Sequence, residues 1–385
     1  MMAGGARVRF AEVLQEVSRP EPVDPNQKYR LLGVRWYGKG LFAKAEISGA
    51  HIKARTLYRV EPGDFIYNRL FAWKGSFGLA GTDSSTTYVS NEFPCFKIAT
   101  DRLMPDYLRW FCSQEMFWSM VTAISTGSSR QSRLRLKEER FLKMELPLPP
   151  LTEQKLVSDR LTRVERGVNI ATSLSEQWNE DQTDLLLSLV SGICKDAPRS
   201  SLAEVAPIIR RKAEIEKDSE YPELGIRSFG KGTFHKPAIK GSELGSKRLY
   251  RIEPGDLLFS NVFAWEGAIA IAQPEDKNRF GSHRFITCLP DQSKALAEYL
   301  RTWFLSAEGM AEIRAASPGA AGRNKTLNLK KLQTIQVPIP DMPKQRRFAD
   351  VFARVQAARK LNQQTADELE ATMPAALEQA FGGSL

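Results

Sequence analysis

Two glycine-rich stretches of this chain carry the residue types that bind phosphate groups. Residues 33–40 read GVRWYGKG, and residues 225–232 read GIRSFGKG. Both have glycine where a nucleotide-binding loop needs the Ser or Thr that holds Mg²⁺, and neither leads into an evident helix. We therefore predict two basic turns that contact the phosphates of a nucleic-acid backbone. Their candidate contact residues are Arg35, Lys39, Arg227 and Lys231.

Two basic segments form a second candidate nucleic-acid surface. Residues 127–143 and residues 319–331 are rich in Arg and Lys. Arg and Asn side chains read guanine and adenine edges through paired hydrogen bonds, whereas Lys acts as a point charge on phosphate. We expect Asn324 to contact a base and Lys325 to contact phosphate, and an ordinary solvated surface is the alternative for both segments. The candidate residues of the two segments are Arg130, Arg133, Arg323, Asn324 and Lys325.

A third candidate set follows a predicted strand in each half of the chain. It consists of Asn68 and Arg69 in the first half and of Asn261, next to Ser260, in the second. If the basic segments prove to be solvated surface, we expect the reading site to lie at these turns instead.

No catalytic constellation is evident in the sequence. The three histidines, His51, His235 and His283, have no metal-ligand spacing to another His or Cys. The four cysteines form no CxxC pair, and there is no nucleophile elbow and no glycine-rich fingerprint for S-adenosylmethionine or a dinucleotide. We therefore predict a non-catalytic chain with no cofactor and no metal of its own.

The elements that must position these residues occur twice along the chain. Residues 57–80 and residues 249–272 share 12 of 24 aligned positions at an offset of 192, and the two glycine-rich stretches keep the same offset. A period this long is far above that of a solenoid, so each copy must be a domain with its own core. Two similar domains suit a target that offers two separated copies of one kind of surface.

The charge of the chain favours a polyanionic partner. Its formal net charge is +10, with 55 basic and 45 acidic residues, while the hydrophobic content of 42% is ordinary for a globular protein. No stretch approaches the ~20 apolar residues of a membrane span, and the N-terminal residues lack the apolar core of a signal peptide. We expect a cytoplasmic protein that binds nucleic acid and not a membrane.

Each repeat mixes short strands with helical segments. Phe65–Tyr67 and Leu257–Phe259 follow a Glu-Pro-Gly-Asp turn and are predicted strands. One helical segment is expected over residues 105–124 in the first copy and one over residues 294–316 in the second. Such a mixture predicts domains of the α/β or α+β class.

Two long helices are predicted, one after the Pro-x-Pro sequence of each repeat. Residues 152–193 and residues 344–380 have almost no Pro or Gly, and their apolar residues recur at a helical period near 3.5. A helix of 40 residues is about 60 Å long, so it outreaches a single domain of this size. The apolar stripe predicted for the first helix consists of Val157, Leu161, Val164, Val168, Ala171, Leu174, Trp178, Leu185 and Leu189.

This layout of domain, Pro-x-Pro, Gln and long helix, present twice, resembles the specificity subunit of type I restriction-modification systems. The residues that carry the resemblance are LPLPPLTEQ at 146–154, which return as VPIPDMPKQ at 337–345. The Glu-Pro-Gly-Asp sequence of each repeat adds to it, and the resemblance covers essentially the whole chain. The second copy departs from the family pattern at Lys344, where the family has Glu.

The resemblance implies two similar target-recognition domains, residues 1–150 and 197–340, each of which reads one half of a split double-stranded DNA sequence. It implies that the long helices, residues 151–196 and 341–385, form an antiparallel coiled coil that acts as a spacer between the halves. It also implies partner subunits: methyltransferase subunits that carry S-adenosylmethionine, and a restriction-translocase subunit that uses Mg²⁺ and ATP.

Two other classes of function remain as alternatives. A stand-alone nuclease would use Asp64 and Asp256 as metal ligands in its two repeats, although their position directly after Pro-Gly favours a turn role. An interaction scaffold that does not bind DNA would show no salt-sensitive affinity for it.

Overall fold

The computed structural model describes residues 6–82, 86–127, 134–319 and 325–382. The chain divides into two units, residues 1–174 with 365–385 (unit 1) and residues 175–364 (unit 2). Both boundaries fall inside long helices. Each unit therefore contains one sheet-rich domain together with parts of two helices.

The described residues of unit 1 form three sheets and three short α-helices besides the long-helix segments. Its strands are β1 Arg7–Arg9, β2 Leu14–Val17, β3 Pro20–Pro22, β4 Lys28–Val34, β5 Leu41–Ala43, β6 Ile47–Ser48, β7 Thr56–Arg59, β8 Phe65–Tyr67, β9 Phe77–Leu79, β10 Thr87–Val89, β11 Cys95–Ile98 and β12 Glu145–Pro147. Its helices are α1 Pro105–Phe111, α2 Glu115–Ile124, α3 Glu138–Phe141 and the first part of α4 Leu151–Cys194. The strand orders are β2-β11-β8-β9, β3-β7-β10-β4-β5 with β6 also on β4, and β1-β12.

Unit 2 repeats this plan. Its strands are β13 Arg199–Ser201, β14 Ile208–Ile209, β15 Glu220–Ile226, β16 Thr233–Lys240, β17 Leu249–Arg251, β18 Leu257–Ser260, β19 Ile269–Ile271, β20 Phe280–Ser282, β21 Phe285–Cys288 and β22 Gln336–Pro338. Its helices are α5 Leu202–Val205, α6 Ala297–Leu305, α7 Ala307–Ala315, α8 Leu329–Thr334 and the first part of α9 Met342–Phe381. The strand orders are β14-β21-β18-β19, β16-β15-β20-β17 and β13-β22.

The directions of the strand pairings agree between the two units as well. One parallel pairing occurs in each, β10 on β4 and β20 on β15, and the other pairings are antiparallel. The Glu-Pro-Gly-Asp turns have Gly63 and Gly255 in the left-handed region, at φ 85° and 88°, where glycine has no steric cost. These observations confirm the predicted α/β class and the duplication.

The predicted single helical segment of each repeat is in fact two helices. In unit 1, α1 ends at Phe111 and α2 begins at Glu115, while the Gln114 side-chain amide donates to Phe111 O (2.9 Å). In unit 2, Ser306 interrupts the segment because its hydroxyl caps α7 by accepting from Gly309 N (3.3 Å). A polar residue that satisfies a free helix end stops each run, although the apolar periodicity continues through it.

The long helices pair antiparallel within each unit. In unit 1, Leu161 of α4 belongs to the same buried core as Leu377 and Phe381 of α9. In unit 2, Asn362 Nδ2 donates to Ser175 O (3.3 Å), and Arg359 Nε donates to Gln182 Oε1 (3.2 Å). Residue numbers thus rise along α4 as they fall along α9.

The predicted stripe of α4 is correct only in its first half. Val157 and Leu161 are buried, but Leu174, Trp178 and Leu185 are 65%, 39% and 47% exposed. The face that is buried in unit 2 instead carries Gln182, Leu186 and Val190. Polar residues lie in this seam because Arg359 and Asn362 of α9 face it and need hydrogen-bond acceptors there.

Candidate nucleic-acid interface

The first glycine-rich stretch forms a turn that is fastened at its base and at its tip. Arg35 N donates to Gly40 O (2.8 Å), which closes the turn after β4. Tyr37 N and Gly38 N donate to Lys74 O (2.7 Å) and Gly75 O (2.9 Å) of the loop between β8 and β9. We call residues 35–40 the first GKG turn.

The second glycine-rich stretch has the same connections in unit 2. Arg227 N donates to Gly232 O (2.9 Å), Phe229 N to Glu266 O (2.8 Å) and Gly230 N to Gly267 O (2.8 Å). Residues 227–232 are the second GKG turn. Two sequences that differ at several positions thus build one geometry, because the glycines and the main-chain bonds define it.

The first glycine of each stretch admits an aromatic ring. A Cβ on Gly33 would lie 2.5 Å from the Phe42 ring, and one on Gly225 would lie 2.1 Å from the Phe234 ring. This close packing explains why glycine is needed at both positions, so nucleotide binding is not required to account for it.

The basic side chains of both GKG turns are exposed, and the two arginines are also oriented by neighbours. Arg35 and Arg227 have guanidinium groups 5.2 Å from the centroids of the Phe42 and Phe234 rings. They donate to Leu41 O (3.2 Å) and Thr233 O (2.8 Å). Lys39 and Lys231 are exposed at the equivalent position of each turn. The arrangement offers oriented cations to an anionic partner.

The third candidate set is occupied by internal contacts. Asn68 Oδ1 accepts from Leu70 N (3.0 Å), which shapes the turn after β8, and Arg69 Nε is hydrogen-bonded to Glu138 Oε1. Asn261 Nδ2 donates to Leu327 O (2.8 Å). A DNA contact by these residues stays a prediction, and the contacts of Arg69 and Asn261 hold the ends of the basic segments against the domains.

Most candidates of the basic segments, Arg130, Arg133, Arg323 and Asn324, lie outside the described residues. The described flank of the first segment is closed by paired hydrogen bonds between Thr126 and Arg135, at 3.0 and 2.8 Å. In the second segment, Lys325 Nζ lies 4.9 Å from the centroid of the Trp265 ring, which is a cation–π contact. Trp265 therefore positions the one candidate of this set that the structure describes.

The aspartates of the two Glu-Pro-Gly-Asp turns, Asp64 and Asp256, are ion-paired. Asp64 accepts from Arg19 at 2.7 and 3.1 Å, and Asp256 accepts from Arg211 at 2.6 and 3.0 Å. Both carboxylates are buried, and hydrogen bonding to them raises the pKa of Arg19 and of Arg211. Among the described residues there is no group of three His, Cys, Asp or Glu side chains that could hold a metal ion. The hypothesis that Asp64 and Asp256 are metal ligands is not supported.

Two glutamines of the repeated motif, to which the sequence pattern assigned no role, fix the long helices to their domains. Gln154 Oε1 accepts from Met104 N (2.8 Å), and its amide donates to Arg102 O (2.9 Å) and Pro149 O (2.8 Å). Gln345 makes the same three bonds, to Leu296 N (2.9 Å), Lys294 O (3.0 Å) and Pro340 O (2.8 Å). Both are fully buried. Their equal position after each Pro-x-Pro was the available signal.

Known proteins with a similar sequence or fold were found for this chain. Residues 196–371 match the family model described as the type I restriction modification DNA specificity domain. No curated protein sequence matches the chain. No helix in the described part of the chain is long and apolar enough to cross a membrane.

Three solved structures have a similar fold over nearly the whole chain. A chain from a structure of complex assembly and conformational transition in the type I R-M system has a TM-score of 0.64 at 20% identity, covering 99% of this chain and 98% of that one. The HsdS subunit from Thermoanaerobacter tengcongensis has a TM-score of 0.51 at 18% identity, covering 99% and 97%. The type I restriction-modification system S subunit from M. genitalium has a TM-score of 0.51 at 11% identity, covering 97% and 95%.

The family match covers the sheet-rich domain of unit 2 and most of α9. Unit 1 has the same four-stranded sheet order, turns and buried glutamine as unit 2, and a long helix follows each domain. Over the whole chain, the fold is similar to that of these solved structures.

Proposed function

We propose that this chain is the sequence-specific DNA-binding subunit of a type I restriction-modification complex. The observation that carries the proposal is the specificity-domain match over residues 196–371, together with the repetition of that domain in unit 1. The subunit is non-catalytic. It reads a bipartite double-stranded DNA target, with one target-recognition domain, residues 1–150 or 197–340, for each half.

The basic surfaces divide the work of binding in this proposal. Arg35, Lys39, Arg227 and Lys231 of the GKG turns contact phosphates, which position the protein without reading sequence. The basic segments with Arg130, Arg133, Arg323, Asn324 and Lys325 supply base and phosphate contacts. Arg69 and Asn261 hold these segments in place, and together with Asn68 they form the alternative reading site.

The helices 151–196 and 341–385 act as the spacer between the half-sites. Their antiparallel pairing supports this role, because the start of α4 lies beside the end of α9 in unit 1 and the start of α9 lies beside the end of α4 in unit 2. In the cytoplasm, methyltransferase subunits that carry S-adenosylmethionine dock on this frame. A restriction-translocase subunit that uses Mg²⁺ and ATP joins them for cleavage.

Exchange of one domain tests the division of the target. When residues 10–146 are replaced by the equivalent domain of a relative, we expect only one half of the methylated motif to change, because each domain has its own core. The measurement is genome-wide sequencing of modified adenines in a host that carries the chain and its methyltransferase partner. The parent chain is the control, and a change in both halves would show that the domains read DNA jointly.

The exposed apolar residues of α4 in unit 2 provide a test of subunit docking. Trp178, Leu185 and Leu189 are 39%, 47% and 36% exposed on one side of the helix, next to the seam with α9. We expect Trp178→Glu with Leu185→Glu to abolish co-purification of the methyltransferase subunit, since a buried interface core excludes unpaired charge.

The control for this test is Ser173→Glu, which adds charge to an exposed position away from the apolar side. It should leave assembly unchanged. Retention of the methyltransferase subunit by the Trp178→Glu, Leu185→Glu variant would contradict docking at this surface.

A further inference from the structure

The GKG turns each present a large aromatic side chain to solvent from a left-handed backbone. Tyr37 has φ 59° and a side chain that is 56% exposed, and Phe229 has φ 60° and is 75% exposed. A bulky residue is rare in this region, because its Cβ crowds the backbone. The same unusual feature thus occurs at the same position of both repeats.

Packing within the domains does not account for these rings. Tyr37 has a tilted contact with Trp118 (ring centroids 6.0 Å apart) and an edge contact with Trp36 (6.3 Å), yet more than half of it remains exposed. Phe229 is exposed to a still greater extent. Gly, Asn or Asp would adopt this backbone with less strain. A strained and exposed aromatic residue is an outlier of the kind that marks functional sites.

Main-chain hydrogen bonds to the neighbouring loop fix the backbone that carries each ring. The residue itself and the glycine after it donate to two consecutive carbonyls of the neighbouring loop in each unit. In unit 2, Arg301 Nη2 also donates to Gly230 O (2.6 Å). Burial together with the Arg359 cation lowers the pKa of this guanidinium to about 10. A fixed backbone reduces the entropy that a binding partner would otherwise have to remove.

The surroundings of the rings are basic. Arg35 and Lys39 flank Tyr37, and Arg227 and Lys231 flank Phe229. In unit 1, Lys74 Nζ also lies 4.0 Å from the centroid of the Trp36 ring, which is itself 41% exposed. An exposed ring flanked by cations is complementary to a nucleic-acid base flanked by phosphates. Surfaces that bind nucleic-acid bases usually combine aromatic and basic side chains in this way.

We propose that Tyr37 and Phe229 stack on DNA bases, each as a wedge at one base step of its own half-site. The flanking Arg and Lys residues contact the phosphates on either side of that step. Insertion of an apolar side chain partly unstacks a step and bends the duplex. This inference rests on the proposed function in DNA recognition, and it adds a contact that reads how easily a step unstacks.

Substitution with asparagine tests the stacking. Tyr37→Asn and Phe229→Asn remove the rings and suit the left-handed backbone, so both variants should fold at least as stably as the parent chain. In complex with the methyltransferase partner, each should bind duplexes that carry the methylated motif about 5- to 150-fold more weakly. Affinity for random duplexes should change less than twofold, since phosphate contacts carry it. Tyr37→Phe and Phe229→Tyr, which keep the ring, should bind like the parent complex.

A fluorescent base reports the unstacking directly. With 2-aminopurine placed at one motif position at a time, the parent complex should raise the fluorescence at one step in each half-site. Tyr37→Asn should remove the rise in one half and Phe229→Asn in the other, whereas a base flipped by the methyltransferase should keep its signal.

Three outcomes would contradict these expectations in different ways. Motif affinity of the Asn variants equal to that of the parent complex would overturn the stacking alone. Loss of the methyltransferase subunit with unchanged DNA affinity would assign the rings to a protein contact and also overturn the stacking. A parent complex that binds motif and random duplexes equally would overturn both the stacking and the DNA-recognition function.

Discussion

Asp256→Ala is expected to destabilise unit 2 by about 2–4 kcal/mol, because the Arg211 cation loses its hydrogen-bonded carboxylate and Glu253 N loses its acceptor. Asp256 is fully buried, and it accepts from Arg211 at 2.6 and 3.0 Å and from Glu253 N at 2.9 Å. The substitution removes all three bonds. The urea midpoint of the unfolding transition should fall, and hydrogen exchange should lose protection in β17 to β21.

The equivalent substitution in unit 1, Asp64→Ala, is expected to cost less. Arg19 also lies 2.9 Å from Glu61 Oε2, so its cation keeps one carboxylate partner. The control is Asp159→Ala, which removes an exposed pair with Lys155 (2.8 Å) and should change stability by less than about 1 kcal/mol. If Asp256 were a metal ligand instead, Asp256→Ala would keep the fold and abolish Mg²⁺-dependent cleavage of DNA.

These ion pairs illustrate what the sequence could not provide. The repeat places Asp64 and Asp256 at equal positions after a turn, and that part was predictable from Pro-Gly-Asp alone. The partners, Arg19 and Arg211, lie 45 residues earlier in the chain in both cases. A contact at this separation depends on the pairing of β3 with β7 and of residues 211–213 with β17, the strands before the two turns, which no local pattern records.

The long helices show the opposite balance. Their positions follow from the absence of Pro and Gly and from the Pro-x-Pro before each, and α4 spans Leu151–Cys194 as the periodicity indicates. The predicted stripe is buried at Val157 and Leu161 and half-buried from Val164 to Ala171. Beyond it the seam becomes polar, and the choice between two neighbouring faces is made by Arg359 and Asn362 of the other helix. Hydrophobic periodicity in one helix cannot include the residues that face it.

The candidate site was predicted in its composition more than in its geometry. The GKG turns were identified by glycine and charge, and their lysines are exposed as a phosphate contact requires. The aromatic residue between those charges was not noticed, because its significance depends on a backbone φ of about 60° that a sequence does not display. Arg69 and Asn261 were candidates by residue type, and only the fold shows that Glu138 and Leu327 already bind them.

Gln345→Leu is expected to destabilise unit 2 by about 3 kcal/mol or more. Leucine is similar in size, but it leaves one buried donor and two carbonyl acceptors without partners, at about 1–3 kcal/mol each. Gln154→Leu should have the same effect in unit 1, since its three bonds are equivalent. The measurement is the urea midpoint, together with limited proteolysis at the start of α9 or α4.

A second glutamine of α9 provides the matched control for Gln345→Leu. In the described part of the chain, the buried Gln356 Nε2 has no hydrogen-bond partner. Gln356→Met removes an unsatisfied donor and should therefore be neutral or slightly stabilising. Gln345→Glu separates hydrogen bonding from shape, because a carboxylate can accept from Leu296 N but cannot donate to Lys294 O and Pro340 O. If Gln345→Glu were as stable as the parent chain, the two donated bonds would contribute nothing, and the helix would be held by packing alone.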